Sequence, residues 1–288
     1  MTSTIDLHLH STVSDGTDSP EELAEKVCRS GIRIFSLSDH DAVDGAERVR
    51  ETLARLGAAA QGIRFINGVE FSCRDNEGKY HILGYGYDEG NSEVRKLADV
   101  AHRIRIGKLE ARMDILQSQF DIELSEEEKE NLRSEYNPGK PHLGRMLVKK
   151  GYAPDIQTAI ATYMDPFRVR SLWISPEEAI TAIKDSGGVP VLAHGVFGSG
   201  QELLAREELE GRITRFQKEG LEGLECWYER YTPEQQAMMI ELSRKYGLCA
   251  TAGSDYHGKN KTVVLGDNHF EEGCEGSELL EAFLKKVN

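Results

Sequence analysis

Seven short apolar runs, rich in β-branched residues, recur along the chain with helical stretches between them, and this alternation limits the possible folds more than any other feature. The runs are Ile5–Leu9, Ile32–Leu37, Ile63–Val69, Tyr80–Tyr85, Val189–Ala193, Gly223–Trp227 and Leu248–Ala252. Three of the intervening helices announce their starts. Ser19-Pro20-Glu21-Glu22, Ser175-Pro176-Glu177-Glu178 and Thr232-Pro233-Glu234-Gln235 each offer a hydroxyl for the N-cap, Pro at the first helical position and Glu or Gln two residues later. Strands alternating with helices predict βαβ units and a mainly parallel sheet, and seven strands around one site predict a barrel rather than an open sheet. Asp75-Asn76-Glu77-Gly78-Lys79 reads as a hairpin turn that interrupts the rhythm.

The middle of the chain breaks the pattern, because residues 92–169 are almost entirely helical in character. We expect an inserted helical subdomain there, with residues 1–91 and 170–288 forming the barrel. The charge of the insertion is blocky: Asp121–Glu135 holds seven acids and two bases, whereas Pro138–Lys150 holds four bases and no acid. The acidic block reads as a solvated face.

Composition removes several classes. The 35 Lys+Arg and 49 Asp+Glu give a net charge of −14, which argues against binding extended DNA or RNA through a general basic surface. No run approaches the ~18 apolar residues of a membrane span, and the N-terminus has neither a basic nor an apolar leader segment, so we expect a cytoplasmic protein. Five scattered cysteines with no C-x-x-C pair fit reduced thiols rather than a disulfide framework or a cysteine-rich zinc site.

The histidines carry the chemistry. Asp6-Leu7-His8-Leu9-His10 sets two imidazoles two apart on a strand, so both face one side, and Asp15 follows within reach. His40 follows the second run, Glu70 closes the third, His81 opens the fourth, His194 closes the fifth, and Asp255 and His257 follow the seventh. Most of these positions are C-terminal strand ends, where barrel active sites are built. Imidazole with carboxylate suits Zn, Mn or Fe, and nine potential ligands exceed what one ion can use. An isolated H-x-H on a strand is as compatible with packing as with ligation; six of nine histidines at strand boundaries beside acids is not. His269 has no context that lifts it above a surface residue.

In order and type these elements resemble the PHP family, named for polymerase and histidinol phosphatase. The resemblance implies a distorted (β/α)7 barrel, an α/β fold, with a cluster of two or three divalent ions. It would place one ion on His8, His10, Glu70 and Asp255, a second on Glu70, His81 and His194, and a third on Asp15, His40 and His257. The activity implied is metal-dependent phosphoester hydrolysis, with a metal-bridging hydroxide attacking phosphorus in line. Asp255 and His257 are the candidates for the catalytic machinery, His257 being considered for protonating the leaving oxygen.

Two stretches of the insertion, Ile104–Arg112 and Pro141–Arg145, resemble the branch that removes the 5′-phosphate from nucleotides, including 3′,5′-bisphosphonucleosides, and trims short RNA. Arg105, Lys108 and Arg112 form one basic stripe on a helix, and Arg145 follows His142 by three on another. The expectation is a lid in which Arg105, Lys108, His142 and Arg145 hold a phosphate other than the one cleaved, since guanidinium groups suit bidentate phosphate recognition. One departure stands out: the branch usually has Pro after the fifth-strand His, and this chain has Gly195, which puts the loop 195–200 in question. The alternatives are a phosphatase for histidinol phosphate or another small phosphomonoester, and a non-catalytic PHP metal-binding module.

Overall fold

The computed structural model describes residues 3–90, 93–169, 172–199 and 201–287. The predicted boundary residues 91, 92 and 170, and Gly200 at the end of the questioned loop, lie outside these. The chain divides into two compact units, residues 1–98 with 174–288, and residues 99–173.

In the first unit, seven strands form one sheet in sequence order: β1 (Ile5–Leu9), β2 (Ile34–Leu37), β3 (Arg64–Arg74), β4 (Lys79–Tyr85), β5 (Val189–Leu192), β6 (Gly223–Tyr228) and β7 (Cys249–Gly253). The sheet closes on itself: Asp255 N donates to His8 O and His10 N to Tyr256 O, each at 2.9 Å. The fold is therefore a distorted (β/α)7 barrel. Strands β1, β5, β6 and β7 are buried along their whole length, as expected when side chains fill the barrel on one face and helices cover the other. The covering helices are α1 (Pro20–Ser30), α2 (Ala46–Leu56), α7 (Pro176–Asp185), α8 (Arg206–Glu219), α9 (Pro233–Tyr246) and α10 (Ser277–Lys286). α9 packs on β6, α10 on β7 and α7 on β4 and β5. All three capping boxes read from the sequence form, on Ser19, Ser175 and Thr232, each with Pro in the first turn. α1 stops at Gly31, whose φ of +91° only glycine adopts readily.

The sheet departs from the mainly parallel reading at one strand. β4 pairs antiparallel with both β3 and β5, because the Asp75–Lys79 hairpin sends the chain straight back. β3 is correspondingly longer than its apolar run, extending to Arg74, so Glu70 lies within the strand rather than at its end.

The second unit contains most of α3 (Glu93–Phe120), then α4 (Glu126–Arg133), α5 (Lys140–Lys149) and α6 (Ile156–Tyr163). Its own core gathers Leu109, Leu116, Leu132, Leu143, Leu147 and Met164. A fourth capping box, Ser125 with Glu128, starts α4 and gives the acidic block a structural use. The unit begins at residue 99 rather than 92 because α3 is one continuous helix whose first turn belongs with the barrel.

Candidate metal centre

The reversal of β4 explains why His81, at the start of a strand, joins residues at the ends of others: an antiparallel strand begins at the rim where its parallel neighbours finish. Around that rim all nine candidate ligands converge, with Glu70 at the middle. Its Oε2 lies 3.2 Å from His8 Nε2, 3.2 Å from His10 Nε2 and 3.0 Å from His40 Nδ1. Its Oε1 lies 2.7 Å from His81 Nδ1 and 3.2 Å from His194 Nε2. One carboxylate thus faces five imidazoles, three on one oxygen and two on the other.

Asp255 and Asp15 complete the ring. Asp255 Oδ1 is 3.6 Å from His8 Nε2, 3.3 Å from His10 Nε2 and 3.4 Å from His257 Nδ1. Asp15 is 3.1 Å from His257 Nε2, 3.7 Å from His10 Nδ1 and 4.0 Å from His40 Nε2. Among the described residues, three groups have donor atoms close enough to share an ion: His10, Asp15, His40 and His257; His8, His10 and Asp255; and His40, Glu70 and His81. His10 and His40 each belong to two of them.

The donor set fits divalent ions. His8 Nε2, His10 Nε2 and Glu70 Oε2 are buried and have no hydrogen-bond partner among the described residues, yet they point at one another across 3.2 Å. Donors about 2.1 Å from a tetrahedral ion stand about 3.4 Å apart, so the spacing is that of a coordination shell. Burial opposes ionisation of Glu70, but His81, His40 and His8 outweigh it and hold the carboxyl well below the usual range. Burial likewise opposes protonation of His10, and Asp255 and Glu70 nonetheless lift it to about 9. Burial prevails at His40, which is pushed down to about 3.

Two of the candidate ligands have backbone in the left-handed region, His194 at φ +32° and Asp255 at φ +58°. Strain of this kind persists only where the surroundings hold it. Asp255 N is held by His8 O, and His194 N donates to Glu225 Oε2 at 2.8 Å.

Glu225 is a residue the sequence reading missed. It is fully buried, and its Oε1 also accepts the Nδ1 proton of His8 at 2.9 Å. The available signal was a lone acid in the apolar run Gly223–Trp227. Asp39 was missed too: it accepts from Ser11 N and Ser11 Oγ at 2.7 Å and from Ser14 Oγ, tying down the loop that carries Asp15. Asp6 does the same for Ser254, beside Asp255, and burial raises its carboxyl to about 6. On the outer side of Asp255, Oδ2 accepts from Tyr228 Oη at 2.9 Å and Lys261 Nζ at 2.6 Å.

The insertion residues fall within the second unit. Arg105, Lys108 and Arg112 lie on α3, where Arg112 Nη1 donates to Lys108 O at 3.5 Å. On α5, Arg145 is exposed, whereas His142 caps its own helix, Nδ1 accepting Gly139 N–H at 3.2 Å. His269 is exposed, with Nε2 2.7 Å from Glu229 O. At Gly195, a Cβ would come within 2.9 Å of Leu192 Cδ2, so a larger residue there would need the Leu192 side chain to shift. All five cysteines are free thiols, and burial pushes Cys226 and Cys249 up to about 12.

A barrel whose rim gathers a buried carboxylate among imidazoles offers a site suited to divalent metal ions. The PHP domain matches residues 6–174, more than half of the chain, and the protein belongs to the PHP family. It is similar to a 3′,5′-nucleoside bisphosphate phosphatase of Chromobacterium violaceum, 30% identical over 88% of this chain and 87% of that one. It is also similar to a 5′-3′ exoribonuclease of Haemophilus influenzae, 27% identical over 93% and 95%. Among solved structures, a Bifidobacterium adolescentis protein proposed to be a metal-dependent phosphoesterase superposes with a TM-score of 0.79 at 25% identity, covering 98% of this chain and 96% of that one. The chain is accordingly a metal-dependent phosphoesterase, a hydrolase of phosphoric esters. Among the described residues no helix is long and apolar enough to cross a membrane.

Proposed function

We propose that the protein removes the 5′-phosphate from nucleotides, 3′,5′-bisphosphonucleosides and short RNA among them, using two or three divalent ions held by His8, His10, Asp15, His40, Glu70, His81, His194, Asp255 and His257. The observation that carries the metal reading is Glu70, whose two oxygens divide five imidazoles between them. Likeness to the bisphosphate phosphatase and the exoribonuclease supports the substrate class. Mn, Zn and Fe all suit the donor set.

Divalent ions, when bound, supply Lewis acidity, a lowered pKa for water and a clamp on both oxygens of an in-line displacement. The chain's part is to hold the donors bare and fixed. With an ion bound, the one remaining proton of His8 would sit on Nδ1 toward Glu225, and Nε2, on the side of Glu70, would be the donor atom. His257 gives its Nδ1 proton to Asp255 O at 2.8 Å, which leaves Nε2 as an electron-pair donor toward Asp15. His257 therefore serves the reacting face better as a ligand than as the acid for the leaving oxygen. Asp255, with one oxygen toward the histidines and one toward Tyr228 and Lys261, ties that face to the loop after β7. Arg105, Lys108, His142 and Arg145 belong to the same proposal as contacts to the substrate beyond the scissile phosphate.

Phosphate release from 3′,5′-bisphosphonucleosides, 5′-mononucleotides, short 5′-phosphorylated RNA and histidinol phosphate, with Mn²⁺ and with chelator, tests this reading. Metal-dependent turnover of the nucleotide esters is expected. Turnover confined to histidinol phosphate would overturn it.

A further inference from the structure

A cleft opens in the barrel unit beside His81 and His194, between the start of β4 and the loop after β5. Its lining includes Lys79, Arg212, Phe197 and Gln201, and among the described residues no carboxylate lines it. In a chain with 49 acids against 35 bases, a concave surface bearing two cations and no acid next to the histidine cluster is a place for an anion.

The cations are differently prepared. Arg212 is 8% exposed, paired with Glu208 at 2.7 Å and laid over the Tyr80 ring at 5.1 Å, so it is a fixed wall. Lys79 is exposed, and its ammonium makes no ion pair among the described residues. Lys79 and His81 are alternate residues of β4, so their side chains leave the same face of the strand, about 6.6 Å apart along it. That step is comparable with the separation of the two phosphates on one ribose.

The walls are braced before any ligand arrives. Lys79 N donates to Ser199 Oγ at 2.7 Å, joining the hairpin to the loop after β5. Asp75 accepts from Glu77 N and Gly78 N and is paired with Arg215 at 2.7 Å, fixing the turn. On the other side Arg230 lies over the Phe197 ring at 4.6 Å and bonds Gln201. A preorganised cleft loses less entropy on binding than one that must be assembled.

We propose that this cleft is a second phosphate subsite, with Lys79 as its principal contact, and that it receives the uncleaved phosphate of a nucleoside bisphosphate whose scissile phosphate lies at the histidine cluster. This rests on the nucleotide phosphatase reading above, and it gives that phosphate to the barrel rather than to the insertion.

The test is the ratio of kcat/KM for adenosine 3′,5′-bisphosphate to that for adenosine 5′-monophosphate, in the parent, Lys79→Ala and Arg105→Ala. Loss of one charge-assisted contact should lower the ratio about tenfold or more in Lys79→Ala, while Arg105→Ala keeps the parental ratio. Misfolding or metal loss would lower both rates and leave the ratio alone. A drop confined to Arg105→Ala, or a parental ratio in Lys79→Ala, overturns the subsite. Released orthophosphate is the other source of the same chemistry. Product inhibition weakened in Lys79→Ala at a parental ratio would assign the cleft to it and overturn the substrate assignment. Calorimetric binding of adenosine 3′-monophosphate, which lacks the scissile phosphate, reads the cleft without turnover. Binding weakened about tenfold by Lys79→Ala supports the subsite even if the nucleotide esters prove not to be substrates, and absence of binding to the parent overturns it.

Discussion

His8 donates its Nδ1 proton to Glu225 across 2.9 Å, and the second oxygen of the same carboxylate holds the backbone N–H of His194 at 2.8 Å. One buried side chain on β6 thus fixes a histidine of β1 and the strained residue that follows β5. The resemblance assigns His8 and His194 to different ions, so Glu225 would act on two of them at once. Glu225→Gln keeps the volume but can present only one carbonyl oxygen to two donors. Metal affinity should fall about 10- to 100-fold, read by elemental analysis after dialysis against buffered Mn²⁺. Parental metal content with parental affinity would show that Glu225 only fills space.

Glu70→Gln tests the centre itself. The amide nearly preserves shape but removes the charge that five imidazoles face. Phosphate release should collapse and bound metal should decrease, with far-ultraviolet circular dichroism unchanged. In the parent, added Mn²⁺ should raise the Tm of chelator-treated protein by mass action, and the shift should shrink in the variant. Full turnover with unchanged metal content in Glu70→Gln would remove Glu70 from the ligand set.

Stability and chemistry separate at Ser175, whose hydroxyl accepts from Glu178 N while the Glu178 carboxylate accepts from Ser175 N. Ser175→Ala should cost about 1 kcal/mol, seen as a lower urea midpoint with an unchanged m-value. Metal content should not move. A parental midpoint would mean that the cap adds nothing beyond the packing of Ile180 and Ile183 on the sheet.

The sequence made the barrel legible because strand and helix periods alternate cleanly and because three helix starts carry a capping box with proline. It made the ligands legible because histidine and acid stand together at strand ends. What it concealed has physical causes. The Asp75–Lys79 turn is visible in the sequence, but its effect on the site is not local: a reversed β4 puts His81 on the rim from the strand's beginning. Glu225, Asp39 and Asp6 touch their partners only after folding, across sequence separations of 217, 28 and 248 residues, so no local spacing marks them as a set. His142 carries a local task at the start of α5 beside the substrate contact proposed for it.

The two tasks of His142, a helix cap and a proposed substrate contact, separate in a pair of variants. Its Nδ1 accepts Gly139 N–H, so His142→Ala should uncap α5 and cost about 1 kcal/mol, lowering the denaturation midpoint. Arg145, one turn further and exposed, closes no such contact among the described residues, and Arg145→Ala should leave the midpoint where it is. If both residues contact the substrate beyond the scissile phosphate, each variant should raise KM for nucleotide esters about tenfold, with kcat changed far less because the metal centre is untouched. The measurement is a pair of Michaelis curves on a 5′-mononucleotide and on a short 5′-phosphorylated RNA, alongside urea denaturation of each variant. A destabilised His142→Ala with parental KM would make His142 a cap and nothing more, and a parental KM in Arg145→Ala on both substrates would take the α5 pair out of substrate recognition altogether.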